Sequence, residues 1–128
     1  MTVEDHLRFY ARIKGVSPEQ EDRIVHQTLK GVQLTAKAAV YVDSLPLGER
    51  RCLSIAISLV SNPKVVFLDE PTTGLDPESR RHLWDILKEC NKDKSRAIVL
   101  TTHSMEEADV LCSRIGIVDK GVLRCLGS

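Results

Sequence analysis

Apolar residues recur at helical spacing through the first half of the chain and gather into short unbroken runs in the second. Val3, Leu7, Tyr10 and Ile13 share one face of a helix that Thr2 can cap, running to about Lys14 with Gly15 just past its end. A second start follows, with Ser17 as cap, Pro18 in the first turn and Gln20 completing a capping box. That helix carries Ile24, Val25 and Leu29 and stops near Gly31. Residues 32–48 give no regular pattern beyond weak helicity. From about Glu49 to Val60 a third helix is nearly all apolar after Arg51, which predicts packing on several sides.

Asn62-Pro63 breaks the pattern, and Val65-Val66-Phe67-Leu68 reads as a strand buried on both faces. Asp76-Pro77 opens a helix in which Leu83, Ile86, Leu87 and Cys90 recur, and Ala97–Thr101 is a second buried strand ending at Thr102-His103. Ser104 with Glu107 predicts a capping box and a helix to about Cys112. Ile115–Val118 and Val122–Cys125, joined by Asp119-Lys120-Gly121, form a β-hairpin pattern. Strand, helix, strand, helix implies an α/β fold with a parallel sheet.

Composition narrows the function classes. The chain has 128 residues, enough for one modest core. Lys+Arg and Asp+Glu are both 18, so no net pull toward nucleic acid or anionic lipid is expected. No apolar run is long enough to span a membrane. Four widely spaced cysteines lack any C-x-x-C pair; Cys90 and Cys112 fall on apolar helix faces, and a reduced compartment fits best.

Candidate chemistry sits where the first strand ends. Asp69 and Glu70 follow four apolar residues directly, which puts both carboxylates at the crevice where open α/β sheets bind ligands. Asp69 is suited to hold Mg²⁺ through oxygen, by way of water, and Glu70 to orient or deprotonate a water beside a phosphate. The plainer alternative is a core strand with two solvated acids. Pro71-Thr72-Thr73-Gly74-Leu75-Asp76 and the later strand ending in His103 favour the chemical reading. No G-x-x-x-x-G-K-[ST] phosphate cradle is present in the 128 residues.

These motifs together resemble the nucleotide-binding domain of ATP-binding-cassette proteins. VVFLDEP resembles the extended Walker B, TTGLD the D-loop, and TTHSMEEAD the switch-histidine segment. LPLGERRCLSIAISLVSNP stands where the family signature, usually LSGGQ, and its helix belong; the opening and closing segments look most like subfamily A, mainly lipid exporters. The resemblance implies a partial P-loop NTPase, with a RecA-like parallel sheet over 62–128 and an α-helical subdomain over 1–61. It assigns the Mg²⁺ shell to Asp69, the attacking water to Glu70, the γ-phosphate contact to His103 and dimer coupling to Asp76. Structurally, Asp76 is also a good helix cap and His103 an ordinary loop imidazole. His6, His26 and His82 read as surface or packing residues.

Two departures from the family matter. The chain begins where the family places the segment after the Q-loop, so Walker A, the Q-loop and the base-stacking aromatic fall outside it. The 128 residues alone are therefore expected to bind ATP very weakly and not to hydrolyse it. The signature is also altered, with Leu45-Pro46-Leu47-Gly48-Glu49 in place of L-S-G-G-Q. Pro46 offers neither hydroxyl nor N–H, and Leu47 is bulky where a Gly lets backbone approach phosphate. Each lost bond to a charged group costs about 1.5–3 kcal/mol, so the ATP site completed by Gly48 and Glu49 on a partner domain should be weak or dead.

The resemblance thus implies ATP and Mg²⁺ as cofactors, and a second nucleotide-binding domain and transmembrane domains as partners. The segment would lie at the cytoplasmic face of a membrane, inserting nothing into it and binding no nucleic acid. Two alternatives stand beside this: a non-catalytic interaction module docking on a transporter domain, and a soluble cassette ATPase of translation or DNA repair. The expected half-sheet leaves apolar strand faces uncovered, which predicts a chain that aggregates or is marginally folded.

Overall fold

The computed structural model describes residues 1–128. Helix α1 (Val3–Ile13) begins at the expected Thr2 cap, which forms a full capping box, Thr2 and Asp5 each accepting the other's backbone N–H. Its buried stripe is Val3, Leu7 and Ala11, so Ile13 and Phe9 are left in solvent and the stripe follows the four-residue ridge. Helix α2 (Pro18–Gly31) starts at Ser17 as expected, but the box with Gln20 does not form. There the Gln20 N–H donates to the Ser17 carbonyl, and the Ser17 side chain makes no cap.

Residues 32–48 make two single 3₁₀ turns, at Thr35–Lys37 and Val42–Ser44. They hold the start of α1: Val3 and Glu4 N–H donate to the carbonyls of Val40 and Ala38, each at 3.0 Å. Helix α3 (Leu47–Leu59) begins two residues earlier than its apolar run suggests, with Pro46 at the cap position. Cys52, Leu53, Ile55, Ala56 and the following Val60 bury it among α1, α2 and α4. Between α1 and α2, Arg8 and Arg12 both donate to the nearly buried Glu21 carboxylate, and Arg8 also reaches Glu4 and Asp22.

The second half is α/β as expected. Strands β1 (Val65–Asp69) and β2 (Ala97–Thr101) pair in parallel and in register, Val65 opposite Ala97 and Asp69 opposite Thr101. The crossover between them is α4 (Pro77–Cys90), which buries Leu83, Ile86 and Leu87. Helix α5 (Met105–Leu111) follows β2, and β3 (Ile115–Asp119) and β4 (Val122–Gly127) form an antiparallel hairpin with an irregularity at Ile117/Val118. Cys112 lies just past α5 rather than on its apolar face.

Burial on both faces of the two strands does not hold. Val66 and Leu68 face the helices and are buried, whereas Phe67 on the other face is 76% exposed, with Val65 and Val99 also open. The reason is a missing layer: all the helices packed on this sheet lie on one side of it, so alternate residues have nothing to cover them. No helix is long and apolar enough to cross a membrane.

Candidate functional site

Register brings the site residues together. Because β1 and β2 end level, the segments that leave their carboxyl ends run side by side, one carrying Asp69 and Glu70 and the other His103. The Thr101 hydroxyl is the joint between them. It donates to Asp69 Oδ1 at 2.5 Å and accepts the Glu70 N–H at 3.0 Å, and that N–H also meets the Thr101 carbonyl at 3.1 Å.

Glu70 leaves the strand at φ +47°, a left-handed conformation that a residue with a Cβ adopts at a cost of about 1–2 kcal/mol. The turn that follows holds it there: Thr73 N–H donates to the Glu70 carbonyl across Pro71-Thr72. Arg51, on the first half of α3, clamps the same turn by donating to the carbonyls of Thr73 at 3.1 Å and Glu70 at 3.5 Å. The backbone twist aims the Glu70 side chain across the crevice, where Oε1 lies 2.7 Å from His103 Nε2. His103 is 94% exposed, so this pair faces open solvent.

The remaining sequence candidates gather a turn away. Asp76 caps α4, its Oδ2 accepting the Ser79 N–H at 3.1 Å, and hydrogen bonds from Ser79, side chain first and backbone second, hold its carboxyl below the ordinary range. The first turn of α3 lies against the same place. A Cβ on Gly48 would come within 3.2 Å of the Ser79 side chain, and Leu47 reaches toward Gly74. Pro46 and Leu47 are exposed at the helix start, with no side chain capping the first-turn N–H groups. Glu49 turns inward to Lys37 at 4.0 Å, and Leu45 is a core residue.

Asp69, Glu70 and His103 thus form one cluster, and Leu47 and Gly48 lie against the turn and helix start capped by Asp76, with Glu49 turned to Lys37 and Arg51 joining α3 to the first. Sequence reasoning missed Thr101, Arg51, Thr72 and Glu107. The Thr72 hydroxyl donates to Glu107 Oε2, which also accepts Trp84 Nε1–H at 2.8 Å in a buried contact. The expected box at Ser104 forms only in part. Glu107 N–H donates to Ser104 Oγ, but the Glu107 carboxylate is drawn inward by Trp84 and Thr72 instead of returning to the Ser104 N–H, which is taken by Thr102.

The donor set suits a lightly held hard cation. Asp69 keeps Oδ2 free, and no group of three His, Cys, Asp or Glu side chains converges anywhere in the chain. Mg²⁺ commonly takes one or two carboxylates and completes its shell with water and phosphate oxygens. Asp69 is thus a single free carboxylate of the kind an Mg²⁺ shell uses.

Residues 3–109 match the family model described as "AAA domain, putative AbiEii toxin, Type IV TA system". The chain belongs to this AAA-domain family, as a nucleotide-binding domain of the ATP-binding-cassette type. All 128 residues align at 53% identity with ABC transporter A family member 2 of Arabidopsis thaliana, of which they span 13%. They align at 39% with the cholesterol transporter ABCA5 of Mus musculus, spanning 8% of it. The fold superposes with TM-score 0.89 and 26% identity on cbiO1 from Clostridium perfringens, described as part of an ABC transporter complex, covering 98% of this chain and 50% of that one. The parallel sheet, the crossover helix and the helical first half are those of an ATP-binding-cassette domain.

Proposed function

We propose that this chain works as part of an ATP-hydrolysing cassette of a membrane transporter, at the cytoplasmic face, with lipid or another amphiphile as cargo. The observation that carries the reading is the juxtaposition of Asp69, Glu70 and His103 at the level ends of two parallel strands. The cargo class rests on the relatives, one of which is named a cholesterol transporter.

In this reading, bound MgATP supplies the phosphoryl group and the cation that neutralises charge on its oxygens. Asp69 would hold the cation's water shell through its free Oδ2. Glu70 would accept a proton from, and orient, a water beside the terminal phosphate, and the Thr101 and Arg51 bonds keep its backbone from relaxing. His103, free to swing from Glu70 in open solvent, would donate a hydrogen bond to a phosphate oxygen. The open first-turn N–H groups of α3 are suited to an anion on a partner domain, but Pro46 and Leu47 weaken that donated half. One nucleotide site of the pair would therefore be strong and the other weak.

A Glu70→Gln change in the full-length transporter tests this. Hydrolysis should fall by about 10²–10⁴-fold, the range for losing a general base, with ATP still bound. Unchanged hydrolysis would overturn the assignment. A second reading, a non-catalytic module docking on a transporter domain, is favoured by the altered signature and by the open apolar face around Phe67.

A further inference from the structure

Beyond the Thr101 joint at the strand ends, two ties join the segments that leave β1 and β2. The outer one is Glu70 to His103, in solvent, where such pairs are screened and hold geometry poorly. The inner one is Thr72 to Glu107, two residues past Glu70 and four past His103. Glu107 is 1% exposed, and it engages three segments at once. Its Oε2 accepts from Thr72 on the turn and from Trp84 on α4, while its N–H donates to Ser104, the residue after His103.

Stability alone does not account for an acid at this position. Its Oε1 is buried with no partner, and burying a carboxylate oxygen unpaired is unfavourable compared with an apolar side chain of similar size. What the carboxylate adds is a fixed distance between two site segments that, past the Thr101 joint at the strand ends, otherwise meet only at a solvent-exposed pair.

We propose that Glu107 is a positioning residue: through Thr72 and Ser104 it sets the spacing of the Glu70 turn and the His103 segment, while its bond to Trp84 serves α4 alone. Its importance for activity rests on Glu70 and His103 being the acting pair; the tie itself does not.

Amide hydrogen exchange read by mass spectrometry on the dilute, unliganded chain separates the two. Thr72→Val removes the hydroxyl and keeps the shape. Exchange in residues 70–75 and 102–104 should become roughly ten- to a hundredfold faster, as expected for losing one bond to a charged group. Trp84→Phe breaks the bond on the α4 side only, so it should speed exchange in α4 and α5 and leave those two segments unchanged. Glu107→Ala should reproduce Thr72→Val, and Glu107→Gln, which keeps an acceptor oxygen, should restore slow exchange. Equal effects of Thr72→Val and Trp84→Phe on the two segments, or none from Thr72→Val, would overturn the proposal. If Glu107→Ala does not fold, the Thr72 and Trp84 variants still decide. Failure of the catalytic assignment would appear in the hydrolysis of Glu70→Gln instead, which this experiment does not use.

Discussion

The helical first half and the strand-bearing second half contain similar apolar residues but use them differently. Val3, Leu7 and Ala11 on α1 are wholly buried against neighbours within the chain, while Phe67 and Val99, equally apolar, stand in solvent on adjacent strands. The hairpin is further along the same scale: of β3 and β4, only Ile115 is even half-buried. Hydrophobicity drives burial only where a second layer exists to receive it. Folding free energy therefore comes mainly from the helices and the inner sheet face. The site, by contrast, is held by hydrogen bonds at the strand ends, through Thr101, Arg51 and Glu107.

Substitutions can break that comparison. The largest effect should come from Leu7→Ala, at about 2–5 kcal/mol of stability, against less than about 0.5 kcal/mol for Phe67→Ala, both read by urea unfolding. Comparable losses at the two positions would mean that the outer sheet face is covered in solution. Next in size is self-association through that face and the free strand edges. Sedimentation should detect oligomers that diminish in a Val65→Thr/Phe67→Thr pair, and a monomer at all concentrations would contradict this.

Acid should act on the helical half and on the start of α4. Glu21 is held below the ordinary carboxyl range chiefly by the Arg12 guanidinium and then by Arg8, and Asp76 by Ser79. A lowered folded value means stabilisation that is complete above the unfolded value, about 4, and lost as pH falls through the folded one. Thermal midpoints should thus be flat from neutral pH to about 5 and decline below 4, less steeply in Glu21→Gln. The smallest effect belongs to the hairpin, where Val118→Thr should stay within about ±0.5 kcal/mol.

Much of this was legible in the residues. Both parallel strands have the limits their apolar runs suggest, because Pro63 and a charged or polar residue bracket them sharply. That Asp69, Glu70 and His103 come side by side was readable because both apolar runs end at the same edge of a parallel sheet. The stripe on α1 misled, since Tyr10 and Ile13 satisfy helical spacing as well as Ala11 does and only the neighbouring helices choose between them. Ser104 and Glu107 match a capping box in sequence, yet a buried indole N–H and hydroxyl outcompeted the local N–H for the carboxylate. Arg51 and Thr101 act on residues 19 to 32 positions away, and local periodicity carries no such information.

The four cysteines give the chain an unplanned pair of chemical handles. Burial pushes the Cys52 thiol up to about 11 and raises Cys90 and Cys112 as well, which suppresses their thiolates. Cys125, on the hairpin, is the one exposed sulfur. A thiol-reactive dye should therefore settle there, while the single indole, Trp84, sits in the core beside Glu107. A donor in the core and an attachment point for an acceptor on the exposed hairpin are thus already present. Energy transfer between them would report the distance from the hairpin to the body without altering a residue.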